Sequence, residues 1–251
     1  MTEYRFEFKY ILDPVTARKA ELFIQRAGMS VDPAALDGFY LVTSLYFDNA
    51  LQSDYYDKSG GFIHRKKLRA RIYSYGSEGA GNVWLEIKER YDAVVRKIRH
   101  KLSSSEWENF VSSPAGFLHA ASSDAKQGLW PIVREMVLTN KKPEVLVRYS
   151  RRPYVGVFGG ELVRITFDSR LEAHSVRAVG SRYGICRKPD LWYPSSWVGI
   201  ERDRVIMEVK FKRSLPGWFL ELIRFLELER VSISKYAKSV EAVRRYQEMP
   251  R

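Results

Sequence analysis

The sequence predicts an α+β fold in which antiparallel strands close into a β-barrel and helices pack on its outside. Three observations carry this expectation. Five segments alternate strictly between apolar and charged residues, the two-residue period of a strand whose two faces meet different surroundings. Stretches of helical periodicity with their own start signals lie between them. Every clear strand puts Arg or Lys on its polar face, and three pair it with glutamate in a Glu-x-Lys spacing, at Glu7-Lys9, Glu86-Lys88 and Glu208-Lys210. A charged face on one strand is ordinarily the solvated outside of a sheet. Its repetition on every strand, with few uncharged polar residues, is accounted for by a closed barrel with a charged interior.

The elements follow in chain order. In the first strand Arg5, Glu7 and Lys9 face one way and Phe6, Phe8 and Tyr10 the other. Asp13 and Pro14 then start a helix over 14–28, as an N-cap followed by a proline at the first helical position. A strand is expected near 41–48. Next come Arg69 and Arg71 opposing Leu68, Ala70 and Ile72, then Glu86 and Lys88 against Leu85 and Ile87. The glycine-rich stretch 76–81 between these two strands reads as a hairpin loop. A strand near 95–102 leads to Ser103 and Glu106, the capping box of a helix carrying Trp107, Phe110 and Val111. A strand near 144–151 follows. Arg164, Thr166 and Asp168 then oppose Ile165 and Phe167, and Glu208, Lys210 and Lys212 oppose Met207, Val209 and Phe211. Helices over 216–229 and 234–247 bring the expected number to at least four. The whole chain, 1–251, is expected to form a single domain.

Composition narrows the chemistry. Forty-two Lys and Arg against 30 Asp and Glu give a net charge of +12, which favours a polyanionic partner. The single cysteine, Cys186, has no partner for a disulfide and reads as an ordinary thiol, and the four histidines show no zinc-ligand spacing. No apolar run approaches the roughly 20 residues that span a bilayer, so a cytoplasmic protein is expected. There is no Walker-type phosphate loop.

The mixture of charges in the strands has a chemical reading. Arginine forks and lysine ammonium groups on opposing strands can neutralise a short, densely charged phosphate chain. Glutamates among them would repel that ligand unless they hold a hard divalent ion, Mg²⁺ or Mn²⁺, that bridges protein and phosphate. Glu208 and Glu7 are the candidates. Near the C-terminus Lys235 and Lys238 stand three residues apart at the start of a helix, which reads either as a phosphate site or as a solvated basic helix end.

Seven short stretches in order carry a resemblance that runs nearly end to end: Arg5 to Tyr10, Ser44 to Asn49, Leu68 to Arg71, Glu86 to Lys88, Val163 to Asp168, Met207 to Lys210, and Ile233 to Tyr236. On these the chain resembles the polyphosphate-polymerase (VTC) domain of the vacuolar transporter chaperone complex, within the triphosphate tunnel metalloenzymes. The resemblance implies a tunnel of about eight antiparallel strands. It implies that Lys9, Arg69, Arg71, Lys88, Arg151, Arg164, Lys235 and Lys238 contact phosphates and that Glu208 holds the metal, Mn²⁺ or Mg²⁺; Lys210 is a further phosphate candidate, and Glu7 stays the second metal candidate from the charge argument. Lys97 and Arg99 either add to the tunnel wall or are solvated. Arg151 matches the family's Tyr-x-Arg pattern with Tyr149, while the flanking Arg148 and Arg152 are set aside.

Three functions stay open at this stage. The first is a polymerase that moves the terminal phosphate of a nucleoside triphosphate such as ATP onto inorganic polyphosphate. The second is a hydrolase of tripolyphosphate or a nucleoside triphosphate, with Glu86 or Glu7 as general base. The third is a non-catalytic polyphosphate or nucleic-acid binder. Nucleic acid is disfavoured, because the cations alternate with glutamates where base-stacking aromatics would be expected. A separate membrane partner is left open.

Overall fold

The computed structural model describes residues 5–35, 37–74, 82–92, 94–176, 192 and 194–248. Cys186 and the glycine-rich stretch 76–81 lie outside the described residues. Among the described residues ten strands appear in chain order: β1 (Arg5–Leu12), β2 (Ser30–Val31), β3 (Tyr40–Asp48), β4 (His64–Ser74), β5 (Asn82–Tyr91), β6 (Val94–Ser103), β7 (Lys142–Phe158), β8 (Glu161–Ser175), β9 (Val198–Gly199) and β10 (Val205–Phe211). Eight of them form an antiparallel ring in the order β7-β3-β4-β5-β6-β1-β10-β8, closed by pairing of β7 with β8, while β2 and β9 add short edges. β5 and β6 pair over their whole length, from Asn82–Ser103 to Tyr91–Val94. Among the described residues β1 and β6 meet at Arg5–Val95 and Phe6–Val94.

The helices among the described residues are α1 (Pro14–Arg26), α2 (Ser53–Ser59), α3 (Ser104–Ser112), α4 (Pro114–Ala120), α5 (Ser123–Leu138), α6 (Gly217–Phe225) and α7 (Lys235–Glu248). The Asp13 carboxylate accepts from the Val15 and Thr16 amides, and Ser103 and Glu106 close the expected capping box. α6 is shorter than its pattern suggested. Its last turn ends at Leu226, and Glu227 takes the left-handed region at φ 50°. α2, α4 and α5 were not foreseen. In α5, Pro131 and Gly128 mask the helical period, yet Gly128 has a packing reason, since a Cβ there would come within 2.9 Å of the His100 ring nitrogen.

The apolar strand faces are covered as the alternation requires. Leu68, Ala70, Ile72, Leu85 and Ile87 pack with Trp107, Phe110, Leu129 and Ile132 from α3 and α5. Ile165, Phe167, Met207 and Val209 pack with Ala17, Ala20 and Ile24 of α1 and with Phe219 and Leu222 of α6. Each such side chain contributes about 1.5–3 kcal/mol by leaving water. α7 has a different station: Tyr236, Val240 and Val243 pack on Val42, Val145, Val147 and Ile206, which alternate in step with the tunnel residues of their strands. It fills part of the ring and narrows one end. Among the described residues no helix is long and apolar enough to cross a membrane.

Candidate active site: a basic tunnel

The ring encloses a cavity of about 550 Å³ lined, among the described residues, by fifteen lysines and arginines and three carboxylates, Glu7, Asp32 and Glu208. Strand alternation puts them there: Lys67, Arg69, Arg71 and Tyr73 are every second residue of β4, and each points inward. Of the residues singled out from the sequence, Lys9, Arg69, Arg71, Lys88, Lys97, Arg99, Arg151, Arg164, Lys210 and Lys235 line the cavity, with Glu7 and Glu208. Lys238 does not. One helical turn past Lys235 it turns outward and donates to Glu201 at 2.9 Å, with Glu241 3.8 Å away, so the phosphate contact expected of it is corrected to a surface ion pair. Lys212 lies beyond the end of β10 and is exposed. Arg148 and Arg152 bond Glu172 and Glu21, away from the cavity.

Carboxylates fix the cations in place. Glu86, on the inner face of β5 between Trp84 and Lys88, is fully buried under the cations it holds and accepts from Arg69 Nε at 2.7 Å, from Arg99 Nε at 2.8 Å and from Lys97. Burial alone would raise its pKa, but Arg69, Arg71, Lys97 and Arg99 together hold it well below the usual carboxylate range. Glu7 accepts from Lys88 at 2.7 and 2.9 Å, with Lys9 at 3.3 Å. Glu208 accepts from Lys235 at 2.7 Å, Lys210 at 2.9 Å and Arg151 at 3.3 Å. Arg151 also grips Asp168 with two bonds of 2.6 Å, and Lys235 reaches the same carboxylate at 2.7 Å. Burial opposes ionisation of Glu7 and Glu208 as well, and the surrounding lysines again win, keeping both well below their ordinary range. The lining lysines feel the opposite balance. Burial draws Lys88 down to about 7 despite Glu7 and Lys67 down to about 7 despite Asp54, holds Lys97 well below its ordinary value despite Glu86, and lowers Lys210 and Lys58. An anion entering the tunnel therefore meets cations held in place by carboxylates, and these lysines gain from its charge.

Among the described residues no three His, Cys, Asp or Glu side chains gather as a metal cage. Glu7 and Glu208 share Lys9 between them, at 3.3 and 3.8 Å. One or two carboxylates plus substrate phosphate oxygens are the usual donor set of Mg²⁺ and related hard ions. The residues present fit an ion that enters with a phosphate chain and not one caged by protein alone.

Several lining residues escaped the sequence reading. Lys67 donates to Ser234 Oγ at 2.7 Å and lies 5.0 Å over the Tyr236 ring. Its signal was available, since it shares the parity of Arg69 and Arg71 one step upstream. Lys58, Arg65 and Arg90 line the cavity near the start of β4. Tyr46 supports Arg69 through its hydroxyl at 3.3 Å, and Tyr149 lies 5.3 Å from the Arg151 guanidinium and 5.0 Å from the Lys235 ammonium. Nothing in the alternation marks these tyrosines as polar-face residues.

An antiparallel ring of eight strands with a lattice of inward cations defines the class, a triphosphate tunnel fold. The profile of the VTC domain matches residues 4–244, and the chain belongs to the VTC-domain family. No curated protein matches it. A solved structure from Bacillus halodurans, provisionally assigned as an adenylate cyclase, superimposes with a TM-score of 0.50 at 14% identity, covering 93% of this chain and 95% of that one. At that identity the likeness concerns the fold alone. A second structure with the same provisional assignment, from Vibrio parahaemolyticus, reaches 0.44 at 10% identity over 96% and 100% of the two chains, too low to bear on the argument. Family and tunnel together indicate a function directed at triphosphate or polyphosphate.

Proposed function

We propose that the chain is a metal-dependent polyphosphate polymerase that transfers the terminal phosphate of ATP, or another nucleoside triphosphate, to a growing inorganic polyphosphate. The observation that carries this reading is the extent of the cationic lining, which continues from Arg65 at the start of β4 through Arg69, Lys88, Lys97 and Arg151 to Arg164 on β8. A pocket for three phosphates needs only part of it, whereas a bound triphosphate together with an incoming phosphate chain uses far more of it. In the transfer, a terminal oxygen of the acceptor chain forms a bond to the γ-phosphorus. The bond from that phosphorus to the β-γ bridging oxygen breaks, and nucleoside diphosphate leaves with that oxygen. Lys9, Lys210 and Lys235, held around Glu208, together with Arg69 and Arg71, spread positive charge over the transferred group. Mn²⁺ or Mg²⁺ held by Glu208 and Glu7 would neutralise further charge on the phosphates.

Hydrolysis is the weaker reading for a physical reason. A general base for water works best with a pKa near the operating pH. Glu7 and Glu86, the two candidates, are each saturated by cations and held well below that range. The cations face a closed interior and are tied to carboxylates, which disfavours nucleic acid as the partner. The test is to incubate pure protein with ATP and Mn²⁺ and resolve the products by chain length on a gel. A ladder of phosphate polymers supports the proposal, and orthophosphate alone counts against it.

A further inference from the structure

The two ends of the tunnel differ in chemistry. Near the start of β4 the lining is Lys58, Arg65 and Arg90, with Lys67 one step further in. At the other end of the same strand, eight residues and about 26 Å away, the lining turns aromatic with Tyr40, Tyr73 and Trp84. A continuous chain of contacts holds this end together. Asp32 and the Tyr40 hydroxyl each lie 3.0 Å from Arg164 Nη2, and the Tyr40 and Tyr73 rings meet edge to face at 5.6 Å. The Tyr73 hydroxyl then accepts from Arg99 at 3.0 Å, and the Arg99 guanidinium lies 4.1 Å from the centre of the Trp84 ring.

Resting on the polymerase reading, we propose that this aromatic end is a nucleoside subsite, which stacks the base of the donor nucleotide on Trp84, while the Arg65–Arg90 end passes the phosphate chain. Three arguments converge. Bases stack on aromatic side chains, and phosphates gain nothing from them. Asp32, the lining carboxylate at this end, would repel a phosphate but accepts hydrogen bonds from ribose hydroxyls or an exocyclic amine. In-line displacement sets the attacking and leaving oxygens on opposite sides of the transferred phosphorus. In a bore, a nucleoside at one end therefore requires the acceptor chain to come from the other. Arg71, Arg69 and Arg99 stand between the aromatic rings and the middle of the bore, where the triphosphate would lie.

The test compares two ligands that differ in the nucleoside. ATP and inorganic tripolyphosphate are titrated calorimetrically, with the same divalent ion, into wild type, Trp84→Leu and Trp84→Phe. ATP affinity is expected to fall about tenfold relative to tripolyphosphate in Trp84→Leu, the low end of one base–aromatic stack. Trp84→Phe should recover most of it. Equal changes for both ligands in Trp84→Leu, or no change for ATP, would overturn the subsite. Wild type that bound tripolyphosphate but not ATP would overturn it too, leaving the tunnel intact. Wild type that bound neither would overturn the tunnel reading and the subsite with it.

Discussion

Lys88 donates to both carboxylate oxygens of Glu7, 81 residues away in sequence, at 2.7 and 2.9 Å. Among the described residues β1 and β6 share two register pairs, and this ion pair lies close to them. It joins β5 to β1 from inside the bore. The same ammonium is a candidate phosphate ligand, so ligand binding and this cross-link compete for one proton-bearing group.

That competition has a pH signature. In the free protein Lys88 and Lys67 both titrate near 7, because burial disfavours their charged forms. Phosphate oxygens favour the ammonium, so tripolyphosphate binding at pH 8 should take up protons, and affinity should fall as pH rises above 7. The sign for folding is opposite. Between about 7 and 10 the unfolded chain holds more protons on these two lysines, so they add stability to the free protein as pH rises through that window. Calorimetry at pH 8 in two buffers of different ionisation heat checks the first statement, and identical heats would contradict it.

Arg69 and Arg71 lie on one strand face and both enter the cavity. Replacing both with Ala should weaken tripolyphosphate binding about 100-fold or more, taking about 1.5 kcal/mol or more for each charged hydrogen bond lost. The fold should persist, since Glu86 keeps Lys97 and Arg99 as partners. Unchanged affinity in the folded double variant would remove β4 from the site.

Glu208→Gln separates metal binding from phosphate binding. Lys210 and Lys235 remain beside the neutral amide, so tripolyphosphate should bind without metal at least as tightly as to wild type. Stimulation by Mn²⁺ should disappear together with turnover. Normal Mn²⁺ dependence in this variant would take Glu208 out of the metal site.

Behind the tunnel, Lys141 donates to both oxygens of Asp54 at 2.6 Å, and its side chain is 1% exposed. Burial lifts the Asp54 carboxyl to about 7, with Lys141 opposing and Asp48 adding to the rise. Lys141→Met should cost about 3 kcal/mol at pH 8, where a buried carboxylate is left uncompensated. The cost should shrink at pH 5, where Asp54 is protonated. Denaturant titration at the two pH values checks this, and an equal cost at both would contradict it.

The sequence made the tunnel legible wherever one residue type alternated with another. Arg69 and Arg71, Glu86 and Lys88, and Glu208 and Lys210 declare an inner face because apolar neighbours separate them. Arg164 follows the same rule. The tyrosines at 46, 73 and 149 do not, because a tyrosine satisfies either face: its ring packs as an apolar group and its hydroxyl serves the cations. Lys238 misled for a geometric reason, since a three-residue step on α7 points the second lysine to Glu201 once the first is fixed in the bore. α5 hid behind Gly128 and Pro131, and Gly128 is set by its close approach to His100 and not by helix propensity. The depth of Glu86 was also hidden. A Glu-x-Lys spacing looks the same whether its carboxylate is open to the bore or covered by the cations it holds.

The measurement that bears most directly on the central claim follows the γ-phosphate itself. With γ-labelled ATP and Mn²⁺, the label is predicted to enter an acid-labile polymer that an exopolyphosphatase degrades, with one nucleoside diphosphate released for each phosphate added. Label found only in orthophosphate or tripolyphosphate, at every metal and nucleotide tried, would contradict the polymerase and assign the tunnel to hydrolysis.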